Sequence, residues 1–580
     1  MKVIRDCVHG DIEFSPEEMK IIHTVGFQRL HGCKQLGLTY HVYPGAKHSR
    51  FEHVLGVAQL ALQIATSLKL RGDFFTDEGD DFFLDREGLS LGKVLRFAAL
   101  LHDMGHVPFG HTLEDEMPVI SKHDSFEDEG DQQGAYGPSR MEGAVREVLK
   151  ESENEGYEDA VLQVLLAISK SKKDDELYSL VETGRVKPDH LVLADIIGNT
   201  LCADLLDYII RDHMMTGIRG SYDPRIFRYF GVENHTWKGK SYKRVVIRLV
   251  KHGRFRRDAL GDLLDILKLR YNLSDKVLFH PLKCSADSML INAVARNGIG
   301  EEKLMEYSDD ALLHELRNDP MGRMIRKRDL FKPVFACDLD RVSTFQKEPK
   351  EDVIRKLHRN TGNVRTNIEE EIQHRLGFTT EQRPGALIFC PRPDMTLKPV
   401  RTLVQWKDGA TRRLNEIKEQ DDSLIVKQIS VLQDIYPRLW RLYLFVRPEV
   451  RFQGHKIASV FTEVLKETTG LTATCDPAFE NYLEDPDGCW DYWAGTKLEN
   501  ELEARDQYRR LDSGEKQKVA QRCWDRSGRR ESEKVDERFV DGGKAIAHKD
   551  GDAWVRAINQ VVDDELKGAA DERSDPPQRG

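Results

Sequence analysis

A mainly α fold is expected, with a helical core, a smaller α+β C-terminal lobe and a charged tail, and three features of the chain predict it. Apolar residues recur at helical spacing through most of the first 330 residues. Short strand-like runs alternate with helical stretches beyond that point, and charge of both signs dominates after about Glu499. At 580 residues the chain exceeds one ordinary core, so three blocks are expected, at 1–330, 331–498 and 499–580.

Helical spacing runs from Glu17 to about Leu70, broken by a Pro-Gly turn at Val42-Tyr43-Pro44-Gly45. From Val54 the residues Val57, Leu60, Ala61, Ile64 and Leu68 trace one helix face, placing His53 near its start. The acidic, glycine-bearing stretch 71–87 reads as a loop. Val94 to Leu101 is apolar almost all round, as a buried helix requires, and it ends on His102 and Asp103. Gly105, Pro108 and Gly110 follow, allowing backbone to approach a ligand closely. A polar loop is expected at 124–139, and helices through 141–149, 160–168 and 191–215. Later, Ala386-Leu387-Ile388-Phe389 and Leu442-Tyr443-Leu444-Phe445-Val446 read as strands. No internal repeat is found, and the last residues, Ser-Asp-Pro-Pro-Gln-Arg-Gly, are expected to be disordered.

Hydrophobic residues at 39% and charged residues at 32% describe a soluble globular protein. A net charge of -11 argues against a bulk nucleic-acid binder, although it says little about a local basic groove. Nine scattered cysteines without a C-x-x-C pair indicate neither a disulfide framework nor a zinc knuckle, and point to a reducing compartment. No apolar run is long enough to cross a bilayer, and Met1 to Gly10 carries charges where a signal peptide needs an apolar core, so a cytosolic (cytoplasmic) protein with no membrane partner is expected.

The residues that could do chemistry are His53, the pair His102-Asp103, and Asp204. Two imidazoles and two carboxylates without thiolate suit a divalent ion such as Mn, Mg, Fe or Zn, and an ion so held can activate water against phosphorus. A His-Asp dipeptide alone is usually a satisfied polar pair, but His106, His111 and Glu114 follow at a density hard to explain as packing. Lys47, His48, Arg50 and His53 mass cations after a tight turn, as a solvated basic patch or as a phosphate clamp. Asp204, Tyr208, Arg211 and Asp212 share one helix stripe, which reads either as a polar wall or as an ion-paired surface helix.

The strings Phe27-Gln28-Arg29-Leu30, Lys34-Gln35-Leu36-Gly37, Val42-Tyr43-Pro44-Gly45-Ala46 and His48-Ser49-Arg50-Phe51-Glu52-His53 resemble the opening of HD-domain phosphohydrolases. So do Leu100 to His106, Pro108 to His111 and Asp204 to Asp212, and the match, good from about Asp6 to Val294, is to the deoxynucleoside triphosphate triphosphohydrolase (dNTPase) branch. No sterile-alpha-motif is expected ahead of it. The resemblance implies a helical HD core in which His53, His102, Asp103 and Asp204 hold a metal beside the α-phosphate of a deoxynucleotide, which is cleaved to deoxynucleoside and inorganic triphosphate. By the same resemblance Arg50 contacts phosphate, His106 lies near the leaving 5′-oxygen, and His111, Glu114 and His123 handle protons. Gln35 and Leu36 line the sugar, Tyr208 packs on the ribose, Asp212 meets the 3′-hydroxyl, and Arg270 binds phosphate. A carboxylate such as Glu114 keeps a neighbouring histidine charged for proton donation.

Departures from the pattern bear on substrate. Leu205 stands where the vertebrate enzyme of the branch has a phosphate-contacting lysine, and Ser274, Leu278 and Phe279 replace polar or aromatic residues near sugar and base, so the pocket either takes a nucleotide with fewer phosphates or draws charge from elsewhere, for example Lys276 or Lys283. His123 lies closer to Glu114 than its counterpart usually does. The alternatives are an HD nucleotidase or phosphodiesterase on another nucleotide or nucleic acid, and a non-catalytic nucleotide sensor. The resemblance also implies homo-oligomers with an allosteric nucleotide, and a role in dNTP catabolism or antiviral defence.

Overall fold

The computed structural model describes residues 1–70, 89–117, 120–126, 139–171, 173–198, 201–345, 348–379, 384–393, 402–417, 423–484, 490–527, 540–541, 544–545 and 558–567. The loop expected at 71–87, most of that at 124–139 and the chain's last residues lie outside them. The fold is mainly α, and the chain divides into two compact units: Met1–Lys283 with Ala293–Gly322 and Thr396–Pro437, and Cys284–Asn292 with Arg323–Met395 and Arg438–Gly580.

The first unit opens on an antiparallel hairpin, Lys2–Asp6 with Gly10–Phe14, whose turn is closed by Asp6 accepting from the Val8 and His9 amides. Its core is a set of helices, Arg50–Lys69, Leu91–Leu101, Glu158–Lys170, His190–Gly198 and Ala203–Thr216, packed on one another. Leu91–Leu101 is buried all round save at Lys93, as its near-continuous apolar sequence requires. The single helical run expected at 191–215 is two helices, and the second starts afresh at Cys202, whose sulfur accepts from the Leu205 amide. That restart points Asp204 out of a helix first turn.

The strands of the first unit escaped the sequence reading. A four-stranded sheet lies inside this unit, in the order Thr411–Arg413, Leu403–Gln405, Lys240–Arg248, Phe230–Trp237, the middle pair parallel. The hairpin Phe230–Trp237/Lys240–Arg248 turns on Lys238-Gly239, both at positive φ, the twist-compatible two-residue turn; a lysine there hides the usual Asn-Gly signal.

The second unit holds an antiparallel sheet, Lys332–Asp338, Arg441–Val446 and Ala386–Phe389, with Arg441–Val446 in the middle. Both strands read from the sequence are present. Ile368, Ile372, Leu444, Phe461 and Trp440 are buried together in its core. The charged stretch after Glu499 is partly helical: Ser513–Ser527 and residues 558–567 bury Cys523, Trp524, Ile558 and Val562 together, with Trp524 stacked on Phe452 at 4.8 Å.

Candidate metal and phosphate site

Local sequence places each group. Ser49 caps the helix Arg50–Lys69 in a capping box with Glu52, so Arg50 and His53 stand one turn apart on the same face, both buried. The helix Leu91–Leu101 ends at His102, whose Nδ1 donates to the Ala99 carbonyl at 2.8 Å and leaves Nε2 as the free lone pair. Asp204 enters from the first turn of Ala203–Thr216.

Three elements thus meet. His53 Nε2, His102 Nε2 and an Asp204 oxygen lie within 4.8 Å of one another, and Asp103 stands 3.8 Å from His53 Nε2 and 3.5 Å from His102 Nε2. The nest attracts positive charge: burial opposes charge on His53, yet hydrogen bonds it donates to Asp204 and Asp207 hold its pKa up at about 10. Asp103 is driven well below the usual carboxylate range despite its burial, by His102 and Arg50. His102 Nε2 is buried with no hydrogen-bond partner, a lone pair aimed into the nest, and with imidazole and carboxylate ligands alone the residues fit a divalent cation.

Beside the nest, Arg50 donates to Asp103 at 2.6 Å. Gly110, at φ 40°, makes room for it: a Cβ there would come within 2.6 Å of Arg50 Nη2 and 3.2 Å of His106 Nδ1. His106 Nε2 lies 3.5 Å from Asp103, and its Nδ1 shares Glu114 (3.1 Å) with the Nδ1 of His123 (2.8 Å), the two rings stacked at 3.6 Å. Glu114 acts on two rings in different surroundings. Burial and Arg50 push His106 down, whereas Glu114 overcomes burial at His123 and raises it. His111 stays at the rim, its side chain 63% exposed and 3.7 Å from Asp115.

An apolar cluster is built from Leu36, Ala46, Leu273 and Val277, with Tyr43, Tyr208, Ile218 and Leu278 packed against them. Leu36 and Tyr208 are therefore brought together. Gln35 Oε1 is buried with no hydrogen-bond partner, and Asp212 accepts from His48 Nε2 at 2.7 Å. Burial opposes the charge of Arg270, but Tyr208, Tyr436 and Asp204 around it raise its pKa.

Two features differ from the sequence reading. Arg211 belongs neither to a polar wall nor to a surface pair: it is fully buried between Asp207 and Asp6. Asp207, unremarked in the sequence, accepts from His53 Nδ1 at 2.8 Å and His9 Nε2 at 2.6 Å; its signal was the Asp207–Arg211 pair at i, i+4 inside an apolar helix. Arg140 was also missed. It donates to Glu114 at 3.0 Å and to Glu301 at 2.9 Å.

A largely buried nest of two histidines and two carboxylates beside an arginine suits a divalent cation next to an anionic group. Residues 50–211 match the HD domain family. An uncharacterized protein of Methanocaldococcus jannaschii is 28% identical over 80% of this chain and 84% of its own length. The mouse deoxynucleoside triphosphate triphosphohydrolase SAMHD1 is 29% identical over 50% of this chain and 44% of its own, and the human one 27% over 50% and 44%, so the chain spans about half the length of these vertebrate relatives. A hypothetical protein of Aquifex aeolicus shares the fold, with a TM-score of 0.52 at 20% identity over 79% of this chain and 99% of that one. An HD domain thus spans residues 50–211, and the proteins this chain is similar to include deoxynucleoside triphosphate triphosphohydrolases.

Proposed function

We propose that the protein is a dNTP triphosphohydrolase that releases a deoxynucleoside and inorganic triphosphate. The observation that supports this reading best is the convergence of His53, His102, Asp103 and Asp204 beside Arg50, together with an apolar cluster of Leu36, Ala46, Leu273 and Val277 against which Tyr208 packs. His53, His102, Asp103 and Asp204 would hold the ion, which supplies Lewis acidity at phosphorus and acidifies water.

The chain's own residues do the rest. Arg50, backed by Gly110, neutralises charge gathering on the α-phosphate oxygens, and Arg270 meets the outer phosphates. His106 faces the leaving 5′-oxygen, with His123 as the proton-carrying ring behind it and Glu114 fixing both. Gln35 and Leu36 line the sugar, Tyr208 packs on the ribose, and Asp212, steered by His48, meets the 3′-hydroxyl.

A second, cationic cleft of about 1130 Å³ in the same unit is lined by Arg225, Arg228, Arg248, Lys251 and Arg256. Its cations would suit an allosteric nucleotide, which the resemblance leads one to expect at a subunit interface in a homo-oligomer. Among the described residues no helix is long and apolar enough to cross a membrane. The proposed activity would act on cytoplasmic dNTP pools, including pools available to invading DNA.

A reading with fewer phosphates rests on Leu205, buried and uncharged where the dNTPase branch places a lysine. Single dNTPs and mixtures, incubated with Mn²⁺ or Mg²⁺ and analysed for product, separate the two. Tripolyphosphate supports the triphosphohydrolase; turnover of monophosphates or phosphodiesters alone replaces it with the second reading. Activity confined to mixtures reveals the allosteric site.

A further inference from the structure

We infer that Asp309, remote in sequence from every motif residue, is a positioning residue that clamps the phosphate side of the site to its nucleoside side. Its carboxylate is fully buried and divided between two backbone segments: Oδ1 accepts from the Phe109 amide at 2.8 Å and Oδ2 from the Lys34 amide at 2.9 Å.

Each segment carries one half of the site. Phe109 and Gly110 form a turn with positive φ at both residues, 57° and 40°, a backbone state that an ordinary L-residue such as phenylalanine adopts only under outside constraint. That turn passes against Arg50 Nη2 and His106 Nδ1, and starts the helix His111–Glu116, which presents Glu114. On the other side, the Cys33–Gln35 stretch is zipped to the start of the Arg50 helix: Gln35 N donates to the His48 carbonyl at 3.0 Å and Arg50 N to the Cys33 carbonyl at 2.8 Å. Gln35 and Leu36 follow directly. The two turns abut, since a Cβ on Gly37 would stand 3.6 Å from the Phe109 carbonyl.

A buried carboxylate is expensive to retain for packing alone. Here it has a job no neutral side chain does as well, because only a carboxylate offers two acceptor oxygens and no donor to a pair of amides. Asp309 thereby fixes the Phe109–Gly110 turn, with His106 and Glu114 beside it, against the Cys33–Gln35 stretch and the Arg50 helix already zipped to that stretch. None of the four metal ligands is held by it.

This inference rests on the dNTPase reading for its kinetic form and stands apart from it in its structural form. Asp309→Asn turns one acceptor into an amide group facing a backbone N–H, breaking one link. Asp310→Asn is the control, since exposed Asp310 reaches only Lys34 Nζ, at 3.3 Å. The expected result for Asp309→Asn is an unchanged metal content, a melting temperature within a few degrees of wild type, and a kcat down about tenfold or more, as loss of alignment predicts; Asp310→Asn matches wild type. Wild-type kcat and KM in Asp309→Asn overturn the inference, as does a loss of activity that only parallels lost metal or lost melting temperature. If Asp309→Asn does not fold, Asp309→Glu, which keeps charge and both acceptors but shifts them by a methylene, is read by the same measures. If the wild type hydrolyses no dNTP, the functional reading fails alone. Amide hydrogen exchange then decides: faster exchange in Asp309→Asn confined to the segments around Lys34 and Phe109 supports the clamp, and unchanged exchange there removes it.

Discussion

His53 is oriented by Asp207. The imidazole Nδ1 donates to Asp207 Oδ2 at 2.8 Å, which turns Nε2 to face Asp204 at 3.1 Å. Asp207 is itself fixed, accepting from His9 and from both ends of the Arg211 guanidinium, whose remaining N–H groups reach Asp6 in the N-terminal hairpin. The hairpin and the Ala203–Thr216 helix thus act on the metal nest through one carboxylate.

Asp207→Asn should therefore weaken metal binding without touching a ligand. An outer carboxylate behind a ligating histidine is worth about 10–100-fold in metal affinity, so Mn²⁺ titration by calorimetry should show a loss of that order. The nest's other arm gives the comparison: His102→Ala removes a ligand and should abolish the increase in melting temperature that Mn²⁺ gives the wild type. Equal affinity in wild type and Asp207→Asn would falsify the orienting role.

Gly56 makes that arrangement possible. A Cβ at this helical position would collide with Asp207 Oδ1 and stand 2.6 Å from Arg211 Nη2, both buried and both bonded elsewhere. Gly56→Ala should destabilise the fold by roughly 1–3 kcal/mol through overpacking, against the usual gain from alanine in a helix. Gly143, in the helix Arg140–Glu151 with open space around it, should show the opposite sign on the same substitution. Denaturant midpoints of the two variants, measured side by side, check both signs.

The sequence made the metal nest legible because its ligands sit at helix boundaries marked by local chemistry: a capping serine before His53, an all-apolar helix before His102, an apolar-flanked stretch at Asp204. The supporting groups were harder to see. Asp207 and Arg211 read as one more surface i, i+4 pair until burial is known, and Arg140 acts only once the fold brings its helix to Glu114. The Phe230–Arg248 hairpin was missed because its turn is Lys-Gly and its strands carry charges at several exposed positions. Local pattern reports faces and caps; which faces meet is a property of the packed chain.

His123 and His111 are both expected to handle protons, and their surroundings separate them. His123 stacks on His106 and bonds Glu114, whereas His111 projects to solvent at the rim. His123→Ala should lower kcat by ~10²–10⁴-fold, the range for loss of a positioned acid–base group, and leave KM within a few-fold. His111→Ala should cost far less. Matching losses in the two variants would assign the proton work to the whole histidine cluster instead.

A buried glutamate in the second unit should set a pH dependence of stability. Glu369 accepts from the Ile388 amide at 2.7 Å on the central core side of the sheet, and burial, only partly offset by Arg365, raises its pKa from 4.5 to about 7. Its folded form binds the proton more tightly than the unfolded chain does. The associated stability is thus whole below about pH 4.5 and is lost as the pH climbs to about 7, a change of up to roughly 3 kcal/mol at 1.36 kcal/mol per pKa unit. Glu369→Gln keeps an acceptor for Ile388 and has no proton to lose. Chemical denaturation should find wild type and variant alike at low pH and the variant more stable above pH 7. A difference that does not grow between those limits would mean that Glu369 remains ionised in the fold and takes its counter-charge from Arg365.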